Sequence, residues 1–107
     1  MSATDSTTLL EQPATEALDL PTIMGALADP SRLAIVRALA ADGERVCGTF
    51  DLGLSKATRS HHFKILREAG VTVTRVDGTR RIVALRRADL DARFPGLLDA
   101  LLDAAGR

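Results

Sequence analysis

Between Leu54 and Leu85 the apolar positions change period twice. From Lys56 to about Ala69, Phe63 and Leu66 lie three apart on one face, while Lys56, Ser60, Lys64 and Arg67 recur at intervals of four, four and three on another. That spacing predicts a helix of about four turns with an inner and a solvent-facing side. Ser55 suits its N-cap, because a hydroxyl accepts from the first unpaired backbone N–H groups. Gly70 suits its end, where a left-handed residue is needed. Val71-Thr72-Val73-Thr74-Arg75-Val76 is β-branched and reads as a strand. Asp77-Gly78 is a hairpin signal, since both residues tolerate positive φ, and Arg81-Ile82-Val83-Ala84-Leu85 is the returning strand.

The pattern upstream is helical. Leu20, Ile23, Met24 and Leu27 repeat at three and four, with Pro21 tolerated near a helix start. Asp29-Pro30 starts a second helix, Asp29 as cap and Pro30 at the first helical position, and Asp42-Gly43 stops it. Glu44 to Gly53 has the weakest pattern. Arg45-Val46-Cys47 fits a short strand, and Thr49-Phe50-Asp51-Leu52 is long enough for only about one helical turn. Residues 1–19 are rich in Ser and Thr with Pro13 interrupting, and read as a flexible or partly helical arm before a domain over 20–107. Downstream, Asp89 to Arg93 looks helical, and Pro95-Gly96 breaks the chain. Leu97, Leu98, Leu101 and Leu102 then form a leucine stripe on a last helix. The terminal helices carry more apolar surface than one small core needs. Leu20, Ile23, Met24, Leu27, Leu97, Leu98, Leu101 and Leu102 are therefore expected to face a second copy across a two-fold axis.

Charge alters this picture more than length does. The 107 residues fit one domain with formal net charge zero. Yet Leu54–Arg87 holds nine basic residues and two acids, a net of +7 balanced by −7 elsewhere. The chain reads as a basic working face on an acidic body, and the stripe on the central helix contains no carboxylate, so a polyanion is its natural partner. No apolar run approaches the roughly 18–20 residues that span a bilayer, and no secretory signal pattern is present. The one Cys cannot make an internal disulfide. A cytoplasmic, nucleoid-associated protein without a membrane partner is expected. No paired nucleophile and base and no Gly-rich phosphate loop appears, so an enzyme is not expected, nor is a cofactor.

The order helix, helix, short turn, basic helix, hairpin, helix is that of a winged helix-turn-helix: mainly α, with a small β-hairpin. Three stretches resemble the ArsR/SmtB family of bacterial transcriptional repressors. Leu27-Ala28-Asp29-Pro30-Ser31-Arg32-Leu33-Ala34-Ile35-Val36 resembles its L-x-D-P-x-R-L-x-I-L opening. Leu54 to Gly70 is close to its recognition helix, with an S-H-H-L-x-x-L-R-x-A-G core. Asp77-Gly78 with flanking arginines resembles its wing. The likeness covers about residues 20 to 87. It implies a homodimeric repressor on a near-palindromic double-stranded operator, with helix 55–69 in the major groove, wing 71–86 beside it, and half-sites about one helical turn apart. Lys56, Ala57, Ser60 and His61 would face base edges, and Lys64 and Arg67 would lean towards phosphates. Arg75, Arg80 and Arg81 would approach the backbone or minor groove.

This chain departs from the family pattern in two places. The first helix of the helix-turn-helix is shortened to Cys47–Leu52. Arg59, also counted among the DNA contacts, stands where many members have an apolar residue, and is expected to reach a phosphate or Asp51. The family's metal sites are not reproduced. Cys47 is a lone thiol where members use C-x-C, and the last helices offer Asp89, Asp91, Asp99 and Asp103 but no His. A metal is therefore not expected, and no residue names another effector. His61 reads as a DNA-facing donor and His62 as a partly buried spacer. Two alternatives stand beside the repressor: a winged-helix module that binds protein rather than DNA, and a repressor that senses oxidants through Cys47.

Overall fold

Two aspartates and a serine set where the helices begin. In the computed structural model, which describes residues Thr7–Gly106, Asp19 caps α1 (Leu20–Leu27), its carboxylate accepting from Thr22 N at 3.0 Å. Asp29 caps α2 (Pro30–Asp42), accepting from Arg32 N at 3.0 Å. Ser55 caps α3 (Lys56–Ala69). Each cap satisfies a backbone donor that the first helical turn leaves free. Strand β1 (Thr7–Leu9) and a 3-10 turn (Thr15–Ala17) precede α1, and β2 (Arg45–Val46) follows α2. After α3 come β3 (Thr72–Asp77), β4 (Arg80–Leu85), α4 (Arg87–Arg93) and α5 (Leu97–Ala105). The fold is that of a winged helix-turn-helix: five helices beside a small antiparallel sheet in the order β1-β3-β4-β2.

The β3–β4 register pairs Thr72 with Leu85 and Asp77 with Arg80. The two loop residues are therefore Gly78 and Thr79, one position later than Asp77-Gly78. Only Gly78 has positive φ, +62°, which is the pattern of a type II′ turn. Asp77 closes the strand instead, its carboxylate 3.1 Å from Arg80 Nη2.

The described part of the N-terminal segment is largely strand and turn. Residues Thr7–Leu9 pair with Arg75–Asp77 as an edge strand, and Leu10 N donates to Thr74 O at 2.9 Å. Pro13 O accepts from Arg86 Nη1 at 2.8 Å, and Thr15 Oγ1 donates to Asp89 Oδ1 at 2.9 Å. Leu18 is buried against Gly70, which has no room for a side chain there and also adopts φ +86°. The segment is thus bound along β3 from its turn end, to Arg86 past the hairpin base, and to α4. The first six residues of the arm expected over 1–19, and Arg107 at the end of the expected domain, lie outside the described residues.

The core gathers Leu18, Ile23, Ala26 and Leu27 with Ile35, Val36 and Leu39 of α2. Phe63 and Leu66 of α3, Val71, Val83, Leu90 and Leu98 complete it, with Phe50 from the connection between β2 and α3. Ile23, Leu27 and Leu98 therefore belong to this chain's own interior rather than to its surface. Leu20 and Met24 are each 42% exposed, and Leu97, Leu101 and Leu102 are half-buried.

The shortened first helix is a single 3-10 turn at Cys47–Thr49, two residues before the turn expected at Thr49–Leu52. Its location follows from side chains that close it. Thr49 Oγ1 donates to Val46 O at 2.7 Å, and Arg45 Nη2 donates to Thr49 O at 2.7 Å. Phe50 leaves the turn in an extended conformation and packs edge-to-face on Phe63, with ring centroids 5.2 Å apart. The Arg45 guanidinium stacks over the Phe50 ring, 4.1 Å from its centroid. Burial of that one ring overrides any tendency to continue the helix.

Candidate nucleic-acid interface

Helix α3 is fixed at both ends. Ser55 Oγ accepts from Thr58 N at 3.1 Å, and Gly70 takes a left-handed conformation whose N–H donates to Arg67 O at 3.0 Å. Val71 N then donates to Leu66 O at 3.0 Å, which turns the chain directly into β3. His62, Phe63, Leu66 and Ala69 are buried, and Lys56, Ala57, Ser60, His61 and Lys64 are exposed. The side chains expected to face base edges thus share the open side of one rigid helix. Arg67 is half-buried at its flank.

Arg59 is also half-buried. It does not reach Asp51; its Nη1 donates to Phe50 O, a long contact of 3.5 Å. The exposed wing cations are Arg80 and Arg81. Arg75 is held by Glu44, Nη2 to Oε1 at 2.6 Å. A cleft of about 560 Å³ separates α3 from the wing. It brings Lys56, Arg59, Ser60 and Arg67 opposite Arg80 and Arg81, with Cys47 at one end.

Not all of the basic excess faces outward. Arg86 is 7% exposed, and its Nε donates to Asp89 Oδ2 at 3.0 Å. Arg87 Nη1 lies 2.9 Å from Asp99 Oδ1 and 3.6 Å from Asp91 Oδ2. Asp99 beside it raises the Arg87 pKa further. Hydrogen bonds from Thr15 and Arg86 hold the Asp89 carboxyl below its ordinary value. With Arg75, these arginines join pieces of the fold.

Arg32 makes a contact beneath the open face of α3 that the sequence pattern does not single out. Its Nε donates to Ala26 O at 2.6 Å, and its Nη1 lies 3.1 Å from His62 Nδ1 on α3. A guanidinium only donates, so Nδ1 is the acceptor and the ring proton is assigned to Nε2. Asp29 Oδ2 stands 3.9 Å from the same Nδ1. Arg32 N donates to the Asp29 carboxylate, and this lowers the Asp29 pKa. One side chain therefore ties the end of α1 to α3. Its partner is 30 positions away in sequence, which no local spacing reveals.

Cys47 is half-buried, and burial pushes its pKa up despite Arg81, Arg59 and Arg67 nearby. A thiol held in its protonated form is a weak nucleophile, which works against oxidant sensing. Among the described residues there is no group of three or more His, Cys, Asp or Glu side chains suited to a metal ion. Nor, among them, is any helix long and apolar enough to cross a membrane.

Known proteins align with this same region. A helix-turn-helix domain model matches residues 27–76, from the end of α1 into β3. An HTH-type transcriptional regulator of Bacillus subtilis, the uncharacterized YceK, is 44% identical over 82 residues, which are 74% of this chain and 82% of that protein. A second uncharacterized HTH-type transcriptional regulator, from Methanocaldococcus jannaschii, is 42% identical over 59 residues, 53% of this chain and 66% of its own length. With a capped helix presenting an open polar face and cations on the adjoining wing, the chain belongs to the DNA-binding helix-turn-helix transcriptional regulators.

Proposed function

We propose that this regulator is a homodimeric repressor of the ArsR/SmtB type that binds a near-palindromic operator. In this reading α3 enters the major groove, with Lys56, Ala57, Ser60 and His61 at base edges and Lys64 and Arg67 towards phosphates. Arg80 and Arg81 carry the wing contact, and Arg75, tied to Glu44, contributes less. The observation that supports this reading most is the open face of α3, where Lys56, Ser60, His61 and Lys64 stand exposed on a helix capped at both ends. Leu20 and Met24, together with the half-buried Leu97, Leu101 and Leu102, supply the apolar surface for a second copy.

The test is fluorescence anisotropy with DNA from upstream of the protein's own gene, against a scrambled duplex, over a salt series. Sedimentation of the free protein accompanies it. The expected result is a protein of twice the chain mass that prefers the upstream duplex, with affinity falling steeply as salt rises. Weak binding, equal for both duplexes, would remove the repressor and favour a protein-binding module. A monomer would remove the paired half-sites.

A further inference from the structure

The cleft between α3 and the wing is more than a gap between two DNA contacts. Its lining comprises the 3-10 turn, one flank of α3 and the facing residues of the hairpin. Lys56, Arg59, Arg67, Arg80 and Arg81 meet there, and none of the lining residues is a carboxylate. Asp77 pairs with Arg80 from outside the cleft, and the remaining cations around this small space repel one another, an arrangement that an anion stabilises. Its volume of about 560 Å³ suits a small molecule.

Two further features of the lining point to a ligand. Thr74 is 2% exposed, and its Oγ1 has no hydrogen-bond partner. A buried hydroxyl without a partner is costly, and rotation about the Thr74 Cα–Cβ bond can turn this one from beneath the wall of a cationic cleft towards an anion. Phe63 and Val46 give the same wall an apolar part. A duplex does not fit this description. It presents phosphates on a rigid convex surface, suited to the exposed Lys56, Arg80 and Arg81 and not to the buried Thr74. The cleft exists because the first helix of the helix-turn-helix is reduced to Cys47–Thr49, which leaves the flank of α3 uncovered.

We infer that this cleft binds a small polyanion of the phosphate-ester or diphosphate class, with the arginines neutralising its charge and the Thr74 hydroxyl donating to it. The inference rests on the DNA-binding reading for its consequence. A bound anion neutralises Arg59, Arg67 and Arg81, so the ligand and the operator weaken each other's binding by the same factor. The molecule would act as an inducer by charge, with no metal and no thiol chemistry.

The test uses Cys47, the one cysteine of the chain, as a reporter on the cleft wall. The rate of its alkylation by iodoacetamide is measured on the full chain with inorganic pyrophosphate, and with sodium chloride at equal ionic strength. Pyrophosphate at ten times its half-saturating concentration should slow labelling about tenfold, with chloride leaving it unchanged. Thr74→Val removes only the buried hydroxyl and is expected to fold, bind DNA as before and lose most of that protection. Slowing by pyrophosphate no greater than by chloride would overturn the inference, as would full protection in Thr74→Val. The labelling readout needs no DNA. Its failure leaves operator binding standing, and a failure of operator binding leaves the labelling result intact.

Discussion

Arg80 and Arg81 stand at one end of strand β4, and Arg86 and Arg87 follow its other end. As a sequence the two pairs look alike. At the tip, both arginines are exposed beside the Gly78-Thr79 turn, and Arg80 pairs with a surface carboxylate, that of Asp77. At the base, Arg86 is buried between Asp89 and the Pro13 carbonyl, and Arg87 bridges Asp91 and Asp99. The tip pair is open to a polyanion, whereas the base pair fastens the N-terminal segment and α5 to the hairpin. A charge count over this region therefore overstates the working face. What decides the use of an arginine is whether the fold leaves its guanidinium in the open, as at Arg80 and Arg81, or uses it to join separate segments, as at Arg86 and Arg87.

The two ends of β4 differ most in what they contribute to stability. Arg86→Ala leaves Asp89 and Pro13 O without their buried donor, and should cost about 2–3 kcal/mol, less than for a fully buried pair because Asp89 stays partly solvated. Urea denaturation measures this, and an unchanged midpoint would place Arg86 with the surface cations. A different loss is expected from α3. Ser60→Ala or His61→Ala should leave the midpoint alone and reduce operator preference by about 1–3 kcal/mol in competition with a scrambled duplex. Loss of affinity for both duplexes equally would remove these residues from base readout. The smallest effect concerns acid. Asp89 has a lowered carboxyl pKa in the fold, so it contributes stability above the ordinary carboxylate value near pH 4 that is lost as pH falls through the lowered one. Asp89→Asn should flatten the acid limb of the stability profile below about pH 4, and an unaltered limb would contradict that.

Helix α3 was legible because its information is local. Ser55, Gly70 and the apolar pair Phe63 and Leu66 state its start, end and inner face within sixteen residues. Asp29-Pro30 did the same for α2. The hairpin was legible to within one residue, since Gly78 accepts positive φ on either side of the turn centre and only pairing with the facing strand fixes the register. Elements whose cause is distant were not. Strand β1 forms because β3 offers it an edge far along the chain, and nothing between Thr7 and Leu9 announces that. The 3-10 turn is placed by Phe50 seeking Phe63. Ile23, Leu27 and Leu98 read as surface for a second copy because a helical stripe does not say which of its members the core will take. The site divides in the same way. The open face of α3 follows from spacing, whereas the Arg32–His62 contact and the cationic cleft arise only when remote segments meet.

The most direct test of this division replaces one arginine from each end. Arg81→Ala removes one positive charge at the hairpin tip and Arg87→Ala removes one at the start of α4, just past the hairpin base, and the slope of log affinity against log salt reports how many phosphates each protein neutralises. The expected slope is shallower by about one for Arg81→Ala and native for Arg87→Ala. Equal loss of slope in both variants would contradict it, because binding would then follow total charge and not the placement of the wing.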